Sequence, residues 1–269
     1  MMRDKTPGRS VPSDPVGAWR RERLELLTLC RDLSETDWQT QSAADGWRVQ
    51  DVVAHLGSAC RSLFGPDALE VMRSNDVERT NDVLVDRRRD WPPSRVLAEY
   101  ERWSQVMLRF MGPVSRTPLA RAPMRLAELG RFQAGQLLWA MVFDTHTHLR
   151  HDIAPALGRT VPDTDANRIA VVLAWMMAVL GNQLRAATPG WLDQPVSITL
   201  SGPGGGCWVV QPDGNVQLGT PAGTAAQIDG VAAEFPAWGT QRARWRDRKV
   251  TVSGDADYGT RFLDAVNVV

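Results

Sequence analysis

The sequence predicts two domains of different class, a helical bundle followed by a small α+β unit. Three observations predict it. Every strong apolar pattern up to about Ala187 has helical spacing; β-branched alternation takes over after Pro195; and Pro189, Gly190 and Pro195 cluster between the two regimes. A chain of 269 residues is long enough to bury two cores without staples. The expected division is a tail over 1–12, a helical bundle over 13–188 and an α+β domain over 189–269.

Ser13 offers an N-cap and Pro15 suits a first helical turn, after which Val16, Trp19, Leu24, Leu27 and Cys30 recur at helical spacing to about Leu33. A turn at Ala44-Asp45-Gly46 precedes a second helix from Val49, where His55 lies among Val52, Val53 and Leu56. Residues 67–90 read as a charged helix whose closing run, Asp86-Arg87-Arg88-Arg89-Asp90, reads as a solvated face. Pro92-Pro93 opens another helix carrying Val96, Leu97, Tyr100, Trp103, Met107 and Phe110, and Pro113, Pro118 and Pro123 make 112–125 a loop. A long helix over 134–157 ends at Gly158, and a further one spans 163–187. Strands follow in VSITLSG, CWVVQP and NVQLG; 228–238 reads as helical, 249–253 as a strand and 255–266 as a last helix.

Composition narrows the function classes. The formal net charge is zero, so no overall field recruits nucleic acid or an anionic membrane. Three cysteines, Cys30, Cys60 and Cys207, are odd in number and lack C-x-x-C spacing, which speaks against a disulfide framework and for the cytoplasm. The apolar run IAVVLAWMMAVLG at 169–181 is short of a membrane span and reads as a buried core helix. Eleven tryptophans against two tyrosines suit large apolar contacts or an aromatic-walled pocket.

Chemistry concentrates in MVFDTHTHLRHDIAPALG, residues 141–158, which holds three of the four histidines. At about 100° per residue, Asp144, His148 and His151 share one helical face while His146 points away as a surface or packing residue. A carboxylate and an imidazole one turn apart are a metal-ligand spacing, and Asp152 is placed to act as an outer acceptor or a base. His55, on another helix of the same bundle, is the expected partner across the core. Imidazole and carboxylate suit zinc, nickel or iron, with zinc the default, and three protein ligands leave a coordination position open for chemistry. A carboxylate that merely orients a histidine is the metal-free alternative.

The other motifs carry less. SGPGGG at 201–206 lacks the Lys-Ser/Thr of a phosphate loop and reads as a hairpin turn; the serines have no nucleophile-elbow context; the cysteines read as buried hydrophobes. Arg242, Arg244, Arg246 and Arg248 alternate, so in an extended segment they would form a cationic strip able to grip a carboxylate, or a charge-protected edge.

GWRVQDVVAHL resembles the GW-x-V-x-D-V-x-x-H-L signature of the mycothiol-dependent maleylpyruvate isomerase family. The later D-x-x-x-H followed by HDIAPALG, and WRDRKVTVSGDADYGTRFLD near the end, are similar to further segments of it. The resemblance covers most of the chain from about residue 14. It implies a DinB-like four-helix bundle with a metal site, followed by a sterol-carrier-like α+β domain. It implies a divalent metal, zinc in the isomerase, held by His55, by Asp144 in the place of a glutamate, and by His148. Aspartate is one methylene shorter than glutamate, so either the helices lie closer or His151 supplies the bond. The family's catalytic C-terminal arginine has Arg242 and Arg244 as candidates here.

The resemblance implies a metal-dependent isomerase or thiol S-transferase, with mycothiol as cosubstrate and a small organic molecule as substrate. In an isomerase the thiolate adds to an activated double bond, rotation follows, and elimination releases the other isomer; in a transferase the thiol stays attached. The rival reading is a non-catalytic metal- or ligand-binding protein, a sensor or carrier, on the same bundle. A closed site of His55, Asp144, His148 and His151 favours the binder, and an open coordination position favours the enzyme.

Overall fold

The computed structural model describes residues 14–65, 74 and 76–268. The expected tail, the Ser13 cap and the start of the charged helix lie outside them. By contact the chain divides into two compact units, Pro15–Asp163 and, with Asp14, Thr164 onward. The expected boundary at 188/189 and this division differ by one helix.

The first unit is built on α1 (Pro15–Arg31), α3 (Val49–Ser62), α5 (Pro93–Val114) and α6 (Leu137–Thr147). Packing of α3 on α5, α1 on α6 and α1 on α5 makes them a four-helix bundle. Their apolar stripes meet in a core that includes Trp19, Leu26, Leu56, Tyr100, Met107 and Leu138, each at most 2% exposed. Gly57 permits the close approach of α3 to α5, because a Cβ there would sit 3.2 Å from the Tyr100 nitrogen.

Two short helices complete the helical part. α2 (Glu35–Gln39) escaped the sequence reading, although Ser34 and Asp37 form a capping box, each side chain accepting the other's backbone N–H. Within the expected charged stretch over 67–90, α4 (Val77–Asp86) starts after Asp76, whose side chain accepts the Arg79 backbone N–H as an N-cap. The run after it is not simply solvated: Arg88 is buried, donates to both Glu99 oxygens and to the Leu84 carbonyl, and ties α4 to α5.

The expected loop over 112–125 is shorter and more ordered than proline content alone indicates. α5 continues through Pro113, a 3₁₀ turn spans Pro118–Arg121, and β1 (Pro123–Leu126) pairs antiparallel with β2 (Gly130–Gln133). Pro123 is tolerated as the first strand residue.

The expected helix over 134–157 exists but changes gauge. After α6 comes a π turn over His148–Ile153 and then one α turn, α7 (Ala154–Ala156). Pro155 has no N–H to give the His151 carbonyl four residues back, so a continuous α ladder is unavailable here. Gly158, at φ 61°, closes the element as expected.

In the second unit, β3 (Val196–Ser201), β4 (Gly206–Val210), β5 (Val216–Leu218), β6 (Ala226–Val231) and β7 (Thr251–Gly254) form one sheet in the order β5-β4-β3-β6-β7. β3 and β6 run parallel and the other pairs antiparallel. With them go α8 (Ala166–Ala186), α9 (Phe235–Gly239) and α10 (Ala256–Ala265). The helical expectation over 228–238 holds only for its end. Ala226, Ile228 and Gly230 are buried in alternation, and pairing with β3 makes this stretch a strand. α8, at 21 residues, is long and apolar enough to cross a membrane by length and composition, yet 67% of its apolar window is buried within the protein.

Arg242, Arg244, Arg246 and Arg248 are exposed, but not as an extended strip. Their segment turns on itself through a 3₁₀ turn at Trp245–Asp247, and Arg246 forks onto both Asp264 oxygens.

Candidate metal centre

His55 is delivered by α3, whose start is fixed by the aspartate of the G-W-R-V-Q-D stretch. The buried Asp51 carboxylate accepts from the Arg48 backbone N–H at 2.9 Å and from the Arg48 guanidinium at 2.9 and 3.0 Å, which caps the first turn. One turn on, His55 points into the bundle at 5% exposure.

Opposite it, α6 presents Asp144 and, at the first residue of the π turn, His148. The Asp144 carboxylate bridges the two imidazoles: Oδ2 lies 3.2 Å from His55 Nε2 and Oδ1 lies 3.4 Å from His148 Nε2. One donor atom from each of the three side chains falls within 4.8 Å of the others. Two imidazole nitrogens and one carboxylate oxygen are the donor chemistry of a divalent transition metal.

The electrostatics agree with that fit. Burial opposes protonation of His148, but hydrogen bonds to Asp144 and Asp152 outweigh it and lift its pKa to about 9. Burial pushes the Asp144 carboxyl up, but the charges of and hydrogen bonds from His55 and His148 hold it well below the usual carboxylate range. The two carboxylates thus favour positive charge at His148.

Asp152 sits behind His148, fully buried, its Oδ2 2.6 Å from Nδ1. That bond places a proton on Nδ1 and turns Nε2 toward Asp144, the carboxylate–histidine arrangement that commonly backs a metal ligand.

The two remaining histidines of the segment go elsewhere. His151 is not among the converging donors: the π turn spreads its residues over i→i+5 closures, so three steps from His148 no longer return to the same face. His146 is a packing residue and not a surface one, 1% exposed with Nδ1 2.9 Å from Glu22 Oε1. Arg242 and Arg244 lie in the other unit, on the exposed turn after α9.

Trp47 is the residue that the reading from spacing passed over. Its ring centroid lies 5.1 Å from that of His55 and 6.2 Å from that of His148, and the two imidazoles are 5.2 Å apart, edge to face. Its signal was the Gly-Trp step just before α3. The cysteines are all free and buried, as expected of small hydrophobes; burial pushes Cys30 up to about 12 and Cys60 higher still.

Comparison with known proteins follows the same division. The family described as the mycothiol maleylpyruvate isomerase N-terminal domain matches residues 19–154, half of the chain and all of the candidate site. Among curated proteins no sequence matches. Among solved structures, the crystal structure of the mycothiol-dependent maleylpyruvate isomerase is similar with TM-score 0.57 at 13% identity, covering 90% of this chain and 93% of that one. A histidine-to-alanine mutant of that enzyme gives TM-score 0.57 at 12% identity with the same coverage. At such identity the likeness establishes a shared fold through both units. On the match of its helical half, the chain belongs to the mycothiol maleylpyruvate isomerase N-terminal domain family.

Proposed function

We propose that this protein is a cytoplasmic metalloenzyme that isomerises a small unsaturated acid with mycothiol as cosubstrate. The observation that carries the reading is the count of converging donors: His55, Asp144 and His148 meet, and His151 does not join them. Three protein ligands are the layout of a catalytic site with a free position, and a fourth would favour a closed binding site.

His55, Asp144 and His148 would hold the metal; two imidazoles and a carboxylate suit zinc, nickel or iron, and zinc is the default. When bound, such an ion lowers the pKa of a coordinated thiol and so supplies a thiolate at neutral pH. Asp152 keeps the proton of His148 on Nδ1 and the ring in its ligating orientation. Bundle packing around the triad shields it from bulk water, while the Asp144 side chain, 22% exposed, marks its open side. The thiolate would add to one carbon of the activated double bond as the π pair moves to the conjugated carbonyl oxygen; the new single bond rotates, and return of the pair expels the same thiolate and restores the double bond in the other geometry.

The test is metal analysis of the purified protein beside His55→Ala and His148→Ala, followed by isomerisation of maleylpyruvate with and without mycothiol. We expect about one equivalent of metal in the wild type, less in each variant, and turnover only with the thiol. A wild-type protein that neither carries nor takes up metal overturns the reading; stoichiometric metal without thiol-dependent turnover favours the sensor or carrier.

A further inference from the structure

We propose that Trp47 is a positioning residue of the metal centre, a rigid aromatic wall that holds the His55 and His148 rings in ligating orientation and is itself tethered by Asp82. The inference rests on the metal reading above and goes beyond it by naming a residue that is not itself a ligand.

Three observations place the wall by design of the turn. The indole neighbours both imidazoles at once, its centroid 5.1 Å from His55 with a 40° tilt and 6.2 Å from His148 with a 31° tilt, so it walls the same side of both rings. The turn that presents the indole is fixed at its backbone. The Trp47 carbonyl accepts from Ser42 Oγ at 2.7 Å and from Gln41 Nε2 at 2.8 Å, and the Ala43 N–H donates to the Asp152 carbonyl at 3.0 Å. That last bond docks the turn on the π segment carrying His148, so the same segment that presents one ligand also anchors the wall. Gly46, at φ 75°, supplies the left-handed residue that the turn requires just before the indole. The indole Nε1–H donates to Asp82 Oδ1 of α4 at 3.1 Å, which sets the ring's rotation from outside the bundle.

A wall of this kind acts in two ways. It limits the imidazole rotamers, so less ordering remains to be done when an ion arrives. It also presents the negative face of an indole toward rings that turn more positive when their nitrogens ligate a cation. Both favour the loaded site over the empty one.

The experiment measures zinc affinity by competition with a chromophoric chelator, and cobalt(II) quenching of tryptophan emission, for wild type, Trp47→Phe, Trp47→Ala, Asp82→Ala and the double variant Trp47→Phe/Asp82→Ala. We expect Trp47→Ala to weaken zinc binding about tenfold or more, the range seen when supports behind metal ligands are removed. Trp47→Phe and Asp82→Ala should each weaken it by a few-fold, and the double variant by no more than either alone, because both cut the same tether. Cobalt quenching should lose a distinct component in Trp47→Phe while stoichiometry is retained. Asp82 is exposed, so its variant keeps the test decisive where Trp47→Ala fails to fold. Zinc affinities within twofold of wild type across the set, or a fully additive double variant, overturn the inference with the metal reading intact. A wild type that binds no metal overturns both.

Discussion

The two faces of the helix over 137–156 make an instructive pair, since each carries a histidine against a buried carboxylate. Toward α1, His146 meets Glu22, but Glu22 also receives the Arg150 guanidinium at 2.6 Å, and Arg150 reaches on to Glu25. Toward α3, Asp144 lies between two imidazoles. The first carboxylate is already neutralised by a permanent cation and is 0% exposed; the second is served by groups that carry positive charge only when protonated, and its side chain is 22% exposed. A histidine and a carboxylate in contact therefore do not define a metal site. What distinguishes one is convergence of donors, a positive charge supplied only by protons that a metal can displace, and access.

The sharpest way to break this comparison is to remove one member from each face. Asp144→Ala or His148→Ala should cost at least about 100-fold in zinc affinity, because one of three ligands is lost, whereas His146→Ala should leave zinc stoichiometry unchanged; titration against a competing chelator measures both. Asp144→Ala should also weaken binding more than His151→Ala does, and the opposite order would move the site one turn along the helix.

Acid should separate the faces next. Zinc must displace a proton from His148, whose pKa stands at about 9, so affinity should rise about tenfold per pH unit up to that value and then level off. The sign for the metal-free fold is opposite. His148 is raised above its ordinary 6.5, so its contribution to stability is complete below 6.5 and is lost as pH rises through about 9. Chemical denaturation of the chelator-treated protein across that window reads the loss; an unchanged midpoint would show that His148 is neutral in the fold.

The α1 face should answer in stability and not in binding. Glu22→Ala leaves His146 without its buried carboxylate and Arg150 with Glu25 alone, an expected cost of about 3 kcal/mol by denaturant titration. Asp152→Asn is the intermediate case. It keeps a carbonyl for the His148 Nδ1–H but removes the charge, and should weaken zinc binding by about 10-fold with less than about 2 kcal/mol of stability lost. Equal effects of Glu22→Ala and Asp152→Asn on zinc affinity would erase the distinction between the faces.

Much of the architecture was legible because its signals are local. Apolar spacing places α1, α3 and α5; Pro93 and Gly158 mark element ends; β-branched alternation marks β3 to β5. What escaped depends on partners distant in the chain. β6 reads as helical until β3 pairs with it, and Arg88 reads as solvated until Glu99 is found beside it. The turn at Ala44-Asp45-Gly46 is legible, but that it brings Trp47 onto two histidines is invisible to spacing.

For the site, the sequence by itself determined which side chains are available: one imidazole on α3, and a carboxylate and an imidazole four residues apart in the stretch 141–158. Tertiary structure decided which of them meet. The π turn removes His151 from the face that ideal α spacing gives it, and α1 claims His146 through Glu22. The physical reason is that periodicity specifies direction around one helix axis, whereas a metal site needs donor atoms from two helices within a few ångströms. That coincidence is set only by how the helices pack and by where their hydrogen-bond ladder changes gauge.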